Sequence, residues 1–65
     1  MYKIKIKLYR KQKALTLQEL SMLTGISVGY LCHLENGTRK NPSIQMMEKI
    51  SSALDIPISE IFFSK

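Results

Sequence analysis

The sequence predicts an all-α chain of short helices, on three observations. Thr16-x-x-Glu19 has the form of a capping box, in which a hydroxyl serves the amide three residues on and a carboxylate reaches back. Gly25 then falls where a helix should stop, and Ser27 stands where a second should begin. Further on, Ile44, Met47, Ile50 and Leu54 recur at helical spacing.

Residues 2 to 13 are ambiguous by themselves. Tyr2, Ile4, Ile6 and Leu8 alternate with lysines, which is a strand period. Ile6, Tyr9, Arg10 and Lys13 also share one helical face, and no turn residue interrupts the run. If the alternation prevails at the extreme end, residues 1 to 4 extend and pair with another chain. After the capping box, Leu20 and Leu23 lie on one helical face, three residues apart. Gly25 ends that helix, Ile26 plugs the corner, and Ser27 caps the next. The small side chain of Ser21 lets the two helices cross closely. In the second of them Leu31 and Leu34 point one way, which leaves Val28, Gly29, Cys32 and His33 toward solvent or a partner, and Gly37 ends it. Residues 38 to 42, TRKNP, form a polar loop, since Pro42 disfavours helix at Asn41; Ser43 caps the following helix. Asp55-Ile56-Pro57 breaks that helix, and a last short one runs from about Ile58 to Phe63. The four methionines read as core filling rather than a functional stripe.

Length and composition bound what the chain can do. Sixty-five residues allow one domain with one small core, whose working stability a dimer partner or ligand would supplement. One cysteine excludes an internal disulfide and fits a reducing compartment. The start, MYKIKIKLYRK, is charged without a continuous apolar region, unlike a signal peptide. No segment approaches the ~20 apolar residues of a membrane helix. A cytoplasmic protein is therefore expected. The net charge of +5 is unevenly placed: Lys3, Lys5, Lys7, Arg10, Lys11 and Lys13 are six of the ten basic residues, and Arg39 and Lys40 form a second cluster. All the acids lie beyond residue 13. A basic face suits a polyanion through phosphate attraction and counterion release, although a merely solvated face has the same composition.

Little here suits catalysis. Cys32 and His33 are neighbours in a helix, so their side chains diverge by ~100° and form no nucleophile–base pair. One cysteine and one histidine are too few for a zinc site within one chain. There is no phosphate-binding glycine loop and no carboxylate pair, so neither an enzyme nor a cofactor is expected.

Leu15-Thr16, Glu19-Leu20-Ser21, Gly25-Ile26-Ser27, Tyr30-Leu31 and Leu34-Glu35-Asn36-Gly37, followed by Pro42-Ser43, form a pattern that resembles the phage-repressor and Cro family of helix-turn-helix regulators in bacteria. The match extends through Leu54, Ile58 and Glu60-Ile61-Phe62, over nearly the whole chain. The resemblance implies a five-helix, lambda-repressor-like DNA-binding domain over residues 1–65, with its helix-turn-helix at helices 2 and 3, about residues 16–36. It puts the first helix in the ambiguous N-terminal segment. It also implies that Arg10 pairs with Glu35, for which the guanidinium fork suits a carboxylate.

The family's pattern puts base reading at Val28, Gly29 and His33, with Cys32 nearby, at the front of a recognition helix over 28–35 that fits the major groove. Phosphate contacts would come from Thr16, Ser27, Tyr30, Asn36, Thr38, Arg39 and Lys40, with helix N-termini offering amides. Lys11 and Lys13 would add to the grip, though most first-helix lysines are expected to be merely solvated. Two departures stand out. Relatives commonly carry Gln, Arg or Ser at the first two reading positions, whereas valine here makes no bidentate hydrogen bond and suits a thymine methyl. Leu17 stands where relatives usually place a phosphate-binding Gln, and is expected to pack instead.

The expected activity is transcriptional regulation, by a repressor that binds double-stranded operator DNA as a homodimer. The dimer surface expected is the apolar C-terminal end, Ile56, Ile58, Phe62 and Phe63, although these residues could instead finish the chain's own core, as at least Ile58 and Phe62 are expected to do. The alternative is a protein-interaction or antitoxin-like module on the same fold with little base reading.

Overall fold

The computed structural model describes residues 4–64, and these form five helices in the order α1 (Ile6–Gln12), α2 (Leu17–Thr24), α3 (Val28–Glu35), α4 (Ile44–Leu54) and α5 (Ile58–Phe62). No strand occurs among the described residues. Residues 1–3 of the pairing strand considered for residues 1–4 lie outside them, and Ile4 packs, half-buried and non-helical, against the core.

Helix periodicity prevails over alternation from Ile6 onward because one face of α1 has something to cover. Ile6 is fully buried, Tyr9 and Arg10 are half-buried behind it, and Leu8, which the strand reading would have buried with Ile6, is half exposed. Arg10 and Lys11 in the last turn suit the negative end of the helix dipole. The start of α1 is tied to the far end of the chain, where the Lys5 amide donates to the Ile61 carbonyl at 2.8 Å.

Helix α1 ends at an unexpected residue. Ala14 adopts φ 57°, a left-handed conformation that crowds Cβ against the backbone and costs a non-glycine residue about 1–2 kcal/mol. Ala14→Gly is therefore expected to raise stability by about 0.5–1 kcal/mol, net of glycine's greater chain entropy. Thermal unfolding reads this directly, and a lowered midpoint would contradict the strain.

Helices α2 and α4 stop by one shared device. Gly25 and Asp55 occupy the left-handed region at φ 73° and 57°, directly after each helix. Four residues before each stands a serine whose hydroxyl donates across the turn to the carbonyl one residue beyond it: Ser21 to Ile26 at 2.5 Å, and Ser51 to Ile56 at 2.6 Å. Each bond satisfies a carbonyl just beyond a helix end and fixes the direction in which the chain leaves. Ser21 thus does more than leave room for a crossing.

The core is Ile6, Leu20, Ile26, Leu31, Leu34, Ile50, Leu54, Ile61 and Phe62, with every helix contributing. Helix α2 packs on α3 and α4, α1 on α3 and α4, and α5 on α4. Three expected core positions are exposed: Met22 at 85%, Leu23 at 61% and Ile44 at 63%. The buried face of α2 runs from Leu20 to Thr24, four residues on, so Leu23 sits beside it rather than on it. Ile44 is the first residue of α4, beyond the reach of the neighbouring helices.

Thr24 is the one buried polar side chain among the described residues. Its hydroxyl donates to the Leu20 carbonyl at 2.8 Å and accepts from the Ile26 amide at 3.2 Å, so burial leaves it satisfied.

The C-terminal end needs a correction. Phe62, named for the dimer surface but also expected to finish the core, is 4% exposed and does the latter, so it leaves the dimer surface. Ile56 and Ile58 are half-buried against the same cluster, which leaves Phe63 as the exposed member of the four.

Candidate nucleic-acid interface

The site is built on the corner between α2 and α3. Thr16 Oγ1 accepts from the Glu19 amide at 3.0 Å while the Thr16 amide donates to Glu19 Oε1 at 2.9 Å, so the capping box is complete. Gly25 turns the chain, Ile26 is buried beneath the turn, and Ser27 Oγ accepts from the Tyr30 amide at 3.1 Å to start α3. The hydroxyls of Thr16 and Ser27 are thus engaged as caps. The remaining amides of each first turn stand ahead of the helix's own hydrogen-bond ladder.

Helix α3 has two unlike faces. Leu31 and Leu34 are buried at 0% and 1%. Val28, Gly29, Cys32 and His33 are all exposed, and Cys32 is a free thiol. Eight residues rising ~1.5 Å each give a rod of about 12 Å, comparable with the width of a major groove.

Two contacts fix the rear of this rod. Arg10 Nε donates to Glu35 Oε2 at 2.7 Å and a second guanidinium nitrogen to Oε1 at 3.2 Å, the fork geometry that joins α1 to the last residue of α3. Arg10 Nη1 also donates to the Leu15 carbonyl at 2.7 Å. Both side chains are largely buried, at 11% and 8% exposed. The Glu35 hydrogen bond, opposed in part by desolvation and reinforced by the carboxylate's charge, raises the Arg10 pKa above its ordinary value. The second contact is Asn36, whose side-chain nitrogen, oriented to suit its neighbours, donates to the carbonyls of Cys32 and His33, each at 3.1 Å, and to Thr38 Oγ1 at 2.9 Å. Its donors are engaged within the chain, as a plug for the end of α3.

The loop after α3 folds back along it. The Arg39 amide donates to the His33 carbonyl at 3.1 Å, and the guanidinium lies 5.4 Å from the centre of the Tyr30 ring, within cation–π range. Tyr30 itself packs half-buried against the core. Thr38, Arg39 and Lys40 are exposed beside it. No acid lies among the exposed residues of α3 and this loop: Glu35, the acid of this stretch, is largely buried and paired with Arg10. Leu17 packs against the core cluster.

Sequence reasoning missed the Tyr30–Arg39 stack and the two serine braces. The braces had a signal in the repeated pattern Ser-x-x-x-(Gly/Asp)-Ile at 21–26 and 51–56; the stack had none. Elsewhere the surface offers little chemistry. A groove of about 550 Å³ between α2 and α4 is lined by Leu23, Glu48, Lys49, Ser52 and Ala53. Among the described residues no group of three or more His, Cys, Asp or Glu is placed to hold a metal ion, and no helix is long and apolar enough to cross a membrane.

Comparison with known proteins agrees with this geometry. A family model described as Helix-turn-helix matches residues 6–61. The HTH-type transcriptional regulator SinR of Bacillus subtilis (strain 168) is 39% identical over 61 residues, 94% of this chain and 55% of its own length. The HTH-type transcriptional regulator SlrR of the same organism is 39% identical over 57 residues, 88% of this chain and 38% of its own length. The transcriptional regulator ClgR of Mycobacterium tuberculosis is 38% identical over 52 residues, 80% of this chain and 46% of its own length. The chain thus spans from 38% to 55% of the length of these curated relatives. On the family match and these identities, the chain belongs to the phage-repressor and Cro type of helix-turn-helix transcription regulators.

Proposed function

We propose that this chain is a single domain over residues 1–65 that binds double-stranded operator DNA through α3 and represses transcription by occupying the site. The observation that carries the reading is the exposed, acid-free face of α3 with Arg39 stacked on Tyr30 at its flank. Val28, Gly29 and His33 face the base edges, with Cys32 beside them. Phosphates of one strand meet Thr38, Arg39 and Lys40, while Thr16, Ser27 and Tyr30 bring amides and the ring edge to the same wall. Asn36 acts through the loop it holds.

Size supports a homodimer. The longest dimension of the described chain is 28 Å, less than the ~34 Å that separates equivalent faces of one groove, so one copy covers one half-site. Of the C-terminal apolar surface, Phe63 is 48% exposed and Ile56 and Ile58 are partly so, and this is the face that would meet a partner copy. A free thiol at Cys32 fits the reducing cytoplasm.

Selection from random duplexes tests the proposal: the winners should carry a two-fold repeat with half-sites one helical turn apart. Arg39→Ala should then weaken binding to all sequences alike and flatten the salt dependence by about one ion. A change in sequence preference would instead make Arg39 a base reader. The competing reading, a protein-docking module, draws on Leu17 and on Met22, which is 85% exposed; a selection that returns no enriched sequence would favour it.

A further inference from the structure

Tyr30 lies in α3 and Arg39 in the loop that follows it, and the two differ in how firmly they are held. Tyr30 packs half-buried against the core, and its amide donates to Ser27 Oγ at 3.1 Å. Arg39 is exposed; its amide is anchored at the His33 carbonyl, but its side chain has several torsions to order. The guanidinium nevertheless lies over the Tyr30 ring, 5.4 Å from its centre. The anchored ring thus orders a side chain that would otherwise sample many rotamers.

The contact leaves the cation usable. A guanidinium is a flat fan of five N–H donors, and a ring on one flank cannot take those directed away from it. Glu35 is already gripped by Arg10 and does not compete for them. We propose that Tyr30 is a positioning residue, whose ring holds Arg39 in advance with its outward donors set for a phosphate. The tyrosine's share of DNA affinity then passes through that arginine and not through the phenolic oxygen. This deepens the DNA-binding reading and rests on it. Ordering a rotamer-rich side chain before contact removes a cost otherwise met on binding. A cation–π pair at an exposed site corresponds to about two- to fivefold in an equilibrium constant.

The test varies the electrons of the ring while keeping its shape. Phenylalanine and then pentafluorophenylalanine replace Tyr30, and affinity for a selected and a random duplex is read at one fixed salt concentration. Tyr30→Phe should bind like wild type, because the ring face is retained. Fluorination, which drains that face of negative charge, should weaken binding to both duplexes about two- to fivefold relative to Tyr30→Phe. Its thermal midpoint should stay close to that of Tyr30→Phe, since the packing is kept. In the Arg39→Ala background the same fluorination should change nothing. A loss at Tyr30→Phe would give the phenolic oxygen its own DNA contact, and an equal fluorination loss without Arg39 would make the ring act alone. Either result overturns the positioning role, as does affinity unmoved by fluorination. Tighter binding on fluorination overturns it too, by making the stack a latch that opens before Arg39 reaches DNA. A wild-type chain that binds no duplex at low salt overturns this role together with the DNA-binding reading.

Discussion

Glu35→Ala should cost about 3 kcal/mol of folding stability, because it strands a largely buried guanidinium that keeps only the Leu15 carbonyl as a partner. A chain of this length has a total stability of about 3–10 kcal/mol, so the variant should sit near its unfolding midpoint well below the wild-type temperature. The magnitude follows from burial: an exposed pair of the same geometry is worth ~0–1 kcal/mol, whereas here both side chains are about nine-tenths covered. Replacing both partners, as in Arg10→Leu with Glu35→Leu, should recover most of the loss, since no unpaired charge then remains. Urea unfolding of the two single variants and the double variant yields a coupling free energy, expected near 2 kcal/mol. A coupling below about 0.5 kcal/mol would reduce the pair to two independent charges. The pair also orients α3, because α1 packs on α3 and Arg10 grips its final residue.

Leu31→Ala should be as damaging, at about 3–4 kcal/mol, through lost transfer energy and the cavity left under α3. Leu31 is fully buried. Val28→Ala, three residues earlier on the same helix, should cost less than about 1 kcal/mol, because Val28 is exposed and leaves no cavity. The contrast isolates the two faces of α3: one holds the fold and the other faces outward. Equal losses at the two positions in thermal unfolding would mean that Val28 also packs inside.

The corner between α2 and α3 was the most readable part of the sequence, because its signals are local. A capping box, a glycine at φ 73° and a serine cap each act within four residues. The Arg10–Glu35 pair, 25 positions apart, was reached only through the family pattern, since no local rule links such residues. Where helices meet, pattern reading lost precision. A three-residue spacing grouped Leu23 with Leu20, yet three residues turn a helix 60° short of a full circle, and the covered arc takes in Thr24 instead. Threonine does not read as a core residue until its hydroxyl partners are visible. The end of α1 was equally hidden, because alanine at φ 57° carries none of the usual marks of a left-handed turn. Of the interface, outward-facing Val28, Gly29, Cys32 and His33 followed from helical spacing. The path of the loop did not, since it depends on the Asn36 plug and the Tyr30–Arg39 stack.

Titration of a labelled duplex across ionic strength tests the central claim most directly. Contact between this acid-free cationic surface and several phosphates predicts a linear fall of log affinity with log salt, with a slope of about −0.9 for each phosphate neutralised. Affinity that barely responds to salt, or no association with any duplex at the lowest ionic strength, would contradict DNA binding by this face of the fold.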